Sequence, residues 1–150
     1  MADRAIQETA LGRRLWNGFV KLQVGLYRGS GGRIFTTLKG APCLLLDHTG
    51  RKSGKKRTSP LIYVEDGNSL AIVASAGGSP KDPAWARNLD AKPETTVQVK
   101  GDKRRVRARR ATAEEKARLW PRLTEVWPDY DAYQKRTDRE IPVILLEPAA

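Results

Sequence analysis

Between Ala5 and Tyr27 the apolar residues Leu11, Leu15, Phe19, Leu22 and Leu26 recur three or four positions apart, with Trp16 and Val20 widening the stripe. That period predicts an amphipathic helix, with Arg13, Arg14 and Lys21 off its apolar face. Such a helix suits docking on the rest of the chain or lying on a membrane surface, and docking is the simpler expectation. The run Gly29-Ser30-Gly31-Gly32 predicts a flexible linker, which divides the chain into an arm, 1–30, and a body, 31–150. Beyond it the period becomes that of strands. An apolar run at Cys43–Leu46 stops at Asp47-His48-Thr49, turns through Gly50-Arg51-Lys52-Ser53-Gly54 and resumes at Leu61-Ile62-Tyr63, which reads as strand, loop, strand. Asp66-Gly67-Asn68 is a turn before Leu70–Ala74, a continuous apolar run of core-strand type, so three consecutive antiparallel strands are expected. Asp82-Pro83 reads as an N-cap with proline at the first helical position, opening a helix to about Ala91. Thr95–Lys100 and Arg105–Arg109 alternate about a turn at Gly101-Asp102, a second hairpin with its arginines on one face. Thr112 with Glu115 is a capping-box signature for a helix that Pro121 interrupts or kinks; a short helix starts near Pro128, and Ile141–Leu146 is the closing strand. Six strands, mostly hairpin-linked, with helices at their flanks predict a mainly β (α+β) chain built as a small antiparallel barrel.

Composition narrows the partners. At 150 residues one domain is expected, and 28 Lys and Arg against 17 Asp and Glu leave a net charge of +11, which favours anionic partners. The single cysteine, Cys43, excludes an intrachain disulfide and sits where a small buried hydrophobe belongs. No apolar run reaches membrane-spanning length, and the first residues lack a secretory core, so a cytoplasmic location is expected. The lone His48, with no cysteine or carboxylate at ligand spacing, gives no metal site.

The cations are not spread evenly. Five of the seven residues from Arg51 to Arg57 are basic, in a loop bounded by Gly50 and Gly54, so several could converge on one anion such as a phosphate. A solvated hairpin tip is the competing reading. The glycine spacing is not that of a nucleotide-triphosphate loop, and no helical pattern follows Lys52 directly.

Several stretches taken together, YRGSGGRI, LLLDHTGRKSGKKRTSPLIY, VASAGGSPKDPAWARNL, WPRL and YDAYQKRTDREIPVILLEP, resemble the deazaflavin-dependent nitroreductases, also described as deazaflavin-dependent quinone reductases. The resemblance spans roughly Leu26–Pro148. It implies a split β-barrel of the type that binds flavin mononucleotide, and a reduced 5-deazaflavin, coenzyme F-420, whose tail carries a phosphodiester and an oligoglutamate. By that resemblance Lys52 and Arg57 hold the phosphate and tail with Arg51 beside them, and Thr58, Ser59 and Pro60 lie at the ring edge. Ser75, Ala76 and Gly77 match the loop against the ring, Trp85 and Asn88 the cofactor side of the next helix, and Trp127, Tyr130 and Tyr133 an aromatic acceptor pocket. The chain departs from the family at Ala76, where a lysine is common, with Lys81 the nearest replacement, and at Trp127, where a tyrosine is frequent.

The implied reaction is hydride transfer from the reduced deazaflavin to a quinone or an activated nitro-aromatic, with a phenol, Tyr133 or Tyr63, donating to the reduced oxygen. Two other readings compete. One keeps the barrel but binds flavin mononucleotide, its phosphate on Lys52 and Arg57. The other is a basic nucleic-acid module using Arg105, Arg107 and Arg109 without catalysis, although no aromatic residues are interleaved with those arginines. Nucleic acid is therefore not the expected partner; peripheral membrane contact through the first helix is compatible with a lipid-soluble quinone.

Overall fold

A computed structural model describes residues 10–38 and 40–149, without the side chains of Ala10, Leu11 and Arg13. The helix expected from Ala5 is seen as α1, Ala10–Gly29, its first residues lying outside the described range. Then come β1 (Thr37–Leu38), β2 (Ala41–Thr49), β3 (Lys56–Ile62), β4 (Val64–Asp66), β5 (Ser69–Val73), a 3₁₀ turn at Ala76–Gly78 and α2 (Ala84–Ala91). The chain continues through β6 (Glu94–Val99), β7 (Asp102–Arg110), α3 (Ala113–Val126), α4 (Asp129–Lys135) and β8 (Val143–Pro148).

The strands form one antiparallel sheet in the order β1-β2-β6-β7-β8-β5-β4, with β3 paired to β2 alone. The described residues form eight strands, not six, because the short β1 and β4 carry too little pattern to be read from sequence. Nor do the first three long strands make a meander: β5 pairs with β4 and with the closing strand β8, and not with β3. Tyr63 alone lies between β3 and β4, where the chain passes from one end of the sheet to the other.

Alternation explains the core. On β5 and β8, Leu70, Ile72, Ile144 and Leu146 face an inner cluster closed by Trp85, Ala86 and Leu89 of α2. Ala71, Val73, Val143 and Leu145 face a second cluster under Leu119, Leu123 and Tyr130 of α3 and α4. Both strands are therefore buried on both faces, which is why they read as unbroken apolar runs.

Several local expectations change. α3 runs through Pro121 without interruption; Ala117, whose carbonyl loses its partner, is exposed and can be hydrated. Its capping box is present, Thr112 Oγ1 accepting from Glu115 N–H while the Glu115 carboxylate accepts from Thr112 N–H. Asp82 does not cap α2: its carboxylate is taken by Arg110 and Arg139. The second hairpin turns at Lys100-Gly101, with Lys100 at φ 56°.

The first helix departs most. Its inward face is Gln23 and Tyr27, 4% and 0% exposed, while Leu15, Phe19, Leu22 and Leu26 are 64%, 44%, 58% and 38% exposed. Tyr27 decides the orientation: its hydroxyl lies 3.0 Å from Cys43 O, 3.3 Å from Gln98 O, and accepts from Lys100 N–H at 2.7 Å. The glycine run behind it is a packed turn and not a loose linker. Ser30 Oγ accepts from the N–H groups of Arg33 and Ile34, and a Cβ on Gly32, at φ 81°, would overlap the Lys100 backbone.

Candidate functional site

β3 is the spine of the site. At one end it emerges from the basic loop, whose turn closes through Gly50 N–H to Lys55 O and Gly54 N–H to Gly50 O, each 2.8 Å. Gly54 sits at φ 68°, a conformation a side chain would resist. All seven residues from Arg51 to Arg57 are exposed. Among the described residues Lys52, Lys55, Lys56 and Arg57 form no ion pair, whereas Arg104, Arg107, Arg109 and Arg110 of β7 are each paired with a carboxylate. Arg107 meets Glu94 at 3.0 Å, and Arg109 grips Glu115 through two 2.7 Å bonds. Two of the three arginines that a nucleic-acid track would use are thus already neutralised.

Arg51 is held differently from its neighbours. Its N–H and its guanidinium both donate to Asn88 Oδ1, at 3.1 and 3.0 Å, so α2 anchors the start of the loop. Asn88 is 3% exposed and Trp85, one turn earlier, 8%; both work from beneath the site. Asn88 also donates to His48 Nδ1, whose Nε2 faces Ser59 Oγ, both at 3.0 Å. Burial and the nearby Arg57 charge push the His48 pKa down from 6.5 against the opposing pull of Asp47. Thr58 Oγ1 donates to Asp47 at 2.7 Å, and Arg28 of α1 reaches the same carboxylate oxygen. Ser59 and Pro60 are half-buried in mid-strand.

At its other end β3 meets aromatic groups. Trp127 packs against the cluster of Ala41, Cys43 and Ile62, and its indole N–H points to Tyr133 Oη at 3.4 Å. Tyr133 is half-buried, with the Arg136 guanidinium 5.5 Å from its ring centre. The 3₁₀ turn is pressed onto the same helix: a Cβ on Gly78 would come within 2.7 Å of Tyr133 O. Ser75, Ala76 and Gly77 therefore border the aromatic group, with Ala76 itself in the left-handed region at φ 46°. Tyr130 is 5% exposed, edge-on to Tyr133 at 6.2 Å, and burial raises its phenol pKa well above normal; it lies in the core behind Tyr133. Tyr63 is 6% exposed, and the groups its phenol feels are Tyr27, Glu65, Arg104 and Cys43, away from the basic loop. Of the two phenols Tyr133 is the accessible one. From Arg57 to Ile62 the strand spans about 17 Å, with the basic loop at one end of β3 and the aromatic wall at the other.

Sequence reasoning missed Arg139. Its side chain, 16% exposed, donates to the carbonyls of Ala74, Ser75 and Ser79 and to Asp82, at distances from 2.8 to 3.3 Å. One guanidinium thus fixes both shoulders of the 3₁₀ turn. Nothing local marks it, since its partners lie 57 to 65 positions earlier in the chain.

Among the described residues no group of three or more histidines, cysteines and carboxylates could hold a metal ion, and no helix is long and apolar enough to cross a membrane. The sequence model of the family described as F420H(2)-dependent quinone reductase matches residues 19–148. A putative F420H(2)-dependent quinone reductase of Mycobacterium tuberculosis is 48% identical over 110 residues, 73% of this chain and 92% of its own. Another F420H(2)-dependent quinone reductase of that organism is 40% identical over 131 residues, 85% of this chain and 88% of its own. The solved structure of an F420-H2 dependent reductase superposes with a TM-score of 0.65 at 43% identity, covering 71% of this chain and 94% of that one. A haem storage protein of Vibrio cholerae, at 14% identity and a TM-score of 0.56 over 72% of this chain and 82% of its own, shares the fold alone. The split-barrel architecture is common to both structures, and by the extent of the family match and the identity of its relatives this chain belongs to the F420H(2)-dependent quinone reductase family.

Proposed function

We propose that this chain binds reduced coenzyme F-420 along β3 and uses it to reduce a quinone or an activated nitro-aromatic. The observation that carries the reading is the two-ended character of the strand: cations without carboxylate partners among the described residues at one end, an aromatic and glycine-bounded wall at the other. An anionic tail joined to a flat ring has the same character. A single flavin mononucleotide phosphate would leave most of Lys52, Lys55, Lys56 and Arg57 unanswered.

When bound, the reduced deazaflavin supplies the hydride. The chain's residues bind, orient and shield. Lys52 and Arg57 grip the tail with Arg51 beside them, since charge-assisted donors suit a polyanion. Thr58, Ser59 and Pro60 meet the ring edge, and the backbone of Ser75, Ala76 and Gly77 covers the ring; Trp85 and Asn88 hold this arrangement from below. Trp127 and Tyr133 stack the acceptor with Tyr130 behind them. Tyr133 Oη accepts from Trp127, which leaves its own proton to donate to the acceptor oxygen as negative charge develops there. Titrating the purified chain in parallel with F-420, flavin mononucleotide and a duplex oligonucleotide tests the reading. F-420 should bind tightest, and a preference for either of the others overturns it.

The exposed stripe of α1 favours a second element: peripheral contact with an anionic lipid surface, where the quinone would dissolve. Leu15, Phe19, Leu22 and Leu26 would enter the interface, with the exposed Arg14 and Lys21 available to headgroups. Co-sedimentation with anionic liposomes, lost in a Leu15→Ser/Leu22→Ser variant, is the expected result; equal sedimentation of the two proteins removes this contact.

A further inference from the structure

The buried polar chain beneath β3 has a direction that its geometry dictates. Asn88 Oδ1 lies within hydrogen-bond distance of the Arg51 N–H and guanidinium, both of which can only donate. The carboxamide oxygen must therefore face Arg51, and its NH2 must face His48. His48 Nδ1 then accepts, so the neutral imidazole carries its proton on Nε2 and gives it to Ser59 Oγ. With a lone pair so used, Ser59 has its own hydroxyl proton to donate. Each link fixes the sense of the next, from the basic loop through α2 and β2 to mid-β3.

We propose that His48 is a positioning residue: as a neutral imidazole it holds Ser59 as a hydrogen-bond donor toward an acceptor atom of the bound ligand and, through Asn88, holds Arg51 against the ligand's anionic end. A proton added at Nδ1 undoes the Arg51 arm and leaves the Ser59 arm, because Nε2–H donates in both states. Two donors would then face each other across the His48–Asn88 contact, and turning the carboxamide over would set its NH2 against both donors of Arg51. The groups that face His48 are Asn88 from α2, Ser59 and Arg57 from β3, and Asp47 on its own strand, with Arg51 beyond Asn88. Burial and Arg57 oppose the proton and Asp47 favours it; the net effect lowers the ring's pKa, in the same sense as the Asn88 NH2 group that needs Nδ1 as an acceptor.

The identity of the ligand rests on the F-420 reading, but the tautomer does not, and the experiment keeps the two apart. Long-range proton–nitrogen spectra of the ligand-free chain should show His48 protonated on Nε2 at neutral pH, with the Arg51 amide shifting as the ring titrates. An Nδ1 proton, or an Arg51 amide indifferent to that titration, overturns the relay whatever the ligand. The second measurement is F-420 affinity from about pH 5 to about pH 8 for the wild type, His48→Asn and His48→Gln. Asparagine puts an acceptor where Nδ1 stood and keeps the Asn88 arm; glutamine puts a donor where Nε2 stood and keeps only the Ser59 arm. The wild type should bind at least as tightly as His48→Asn at the alkaline limit and fall toward His48→Gln, about tenfold weaker, at the acid limit. Any titration of F-420 itself cancels in the ratio. Parallel curves for wild type and His48→Asn would overturn the proposal, and absence of F-420 binding at every pH would overturn the cofactor reading while the tautomer result stands.

Discussion

Lys52 and Arg57 are the residues on which tail binding should depend, since they are exposed and, among the described residues, carry no ion pair. Replacing both with alanine removes two charge-assisted contacts and should weaken F-420 binding by about a hundredfold, with the unfolding midpoint unchanged. Fluorescence titration beside a thermal melt decides it; unaltered affinity would move the anion site elsewhere. Tyr133 plays the opposite part. Tyr133→Phe keeps the ring against the 3₁₀ turn and deletes only the hydroxyl, so affinity should hold while single-turnover oxidation of the bound cofactor by a soluble quinone slows, by about a hundredfold at most. Equal rates would make Tyr133 a packing residue. These side chains could be read in sequence because each stands in a distinctive stretch. Tyr63 could not be placed in the same way: it ends the equally distinctive SPLIY stretch, but its depth depends on strands far away in the chain.

Among the elements, the 3₁₀ turn owes its shape to residues outside it. Gly77 and Gly78 permit the positive φ values, 64° and 82°, but Arg139 ties down the carbonyls on both sides. Arg139→Ala leaves several carbonyls and Asp82 without this donor and should destabilise the fold by roughly 2–4 kcal/mol, measured by urea denaturation. Arg139→Lys should recover only part of that, because one ammonium cannot reach partners spread around a planar fork. Capping and periodicity were legible where the signal is local: Thr112 with Glu115 marked the start of α3, and the alternation at Thr95–Lys100 marked β6. They misled where a distant partner competes. Asp82 has the sequence of an N-cap yet serves two arginines, and the period of α1 identified a helix without saying which side faces inward. Tyr27 settles that through backbone groups of β2, β6 and the turn after β6, which no helical pattern encodes.

Taken as a whole, the molecule carries a net charge of +11 that is unevenly cancelled. On β7 Arg107, Arg109 and Arg110 answer carboxylates from β6, α2, α3 and β8; around the basic loop, among the described residues, Lys52, Lys55, Lys56 and Arg57 answer none. The count of charges was plain in the sequence, but their cancellation was not, because it depends on which strands lie side by side. One consequence concerns the order of events in capture. A field concentrated at one end of β3 draws a ligand's charged tail before its neutral ring can find the aromatic wall, so the encounter should begin tail first and be completed by docking of the ring. Stopped-flow traces should then show an association rate that falls steeply as salt is raised, while the dissociation rate, governed by the seated ring and its short-range contacts, changes far less.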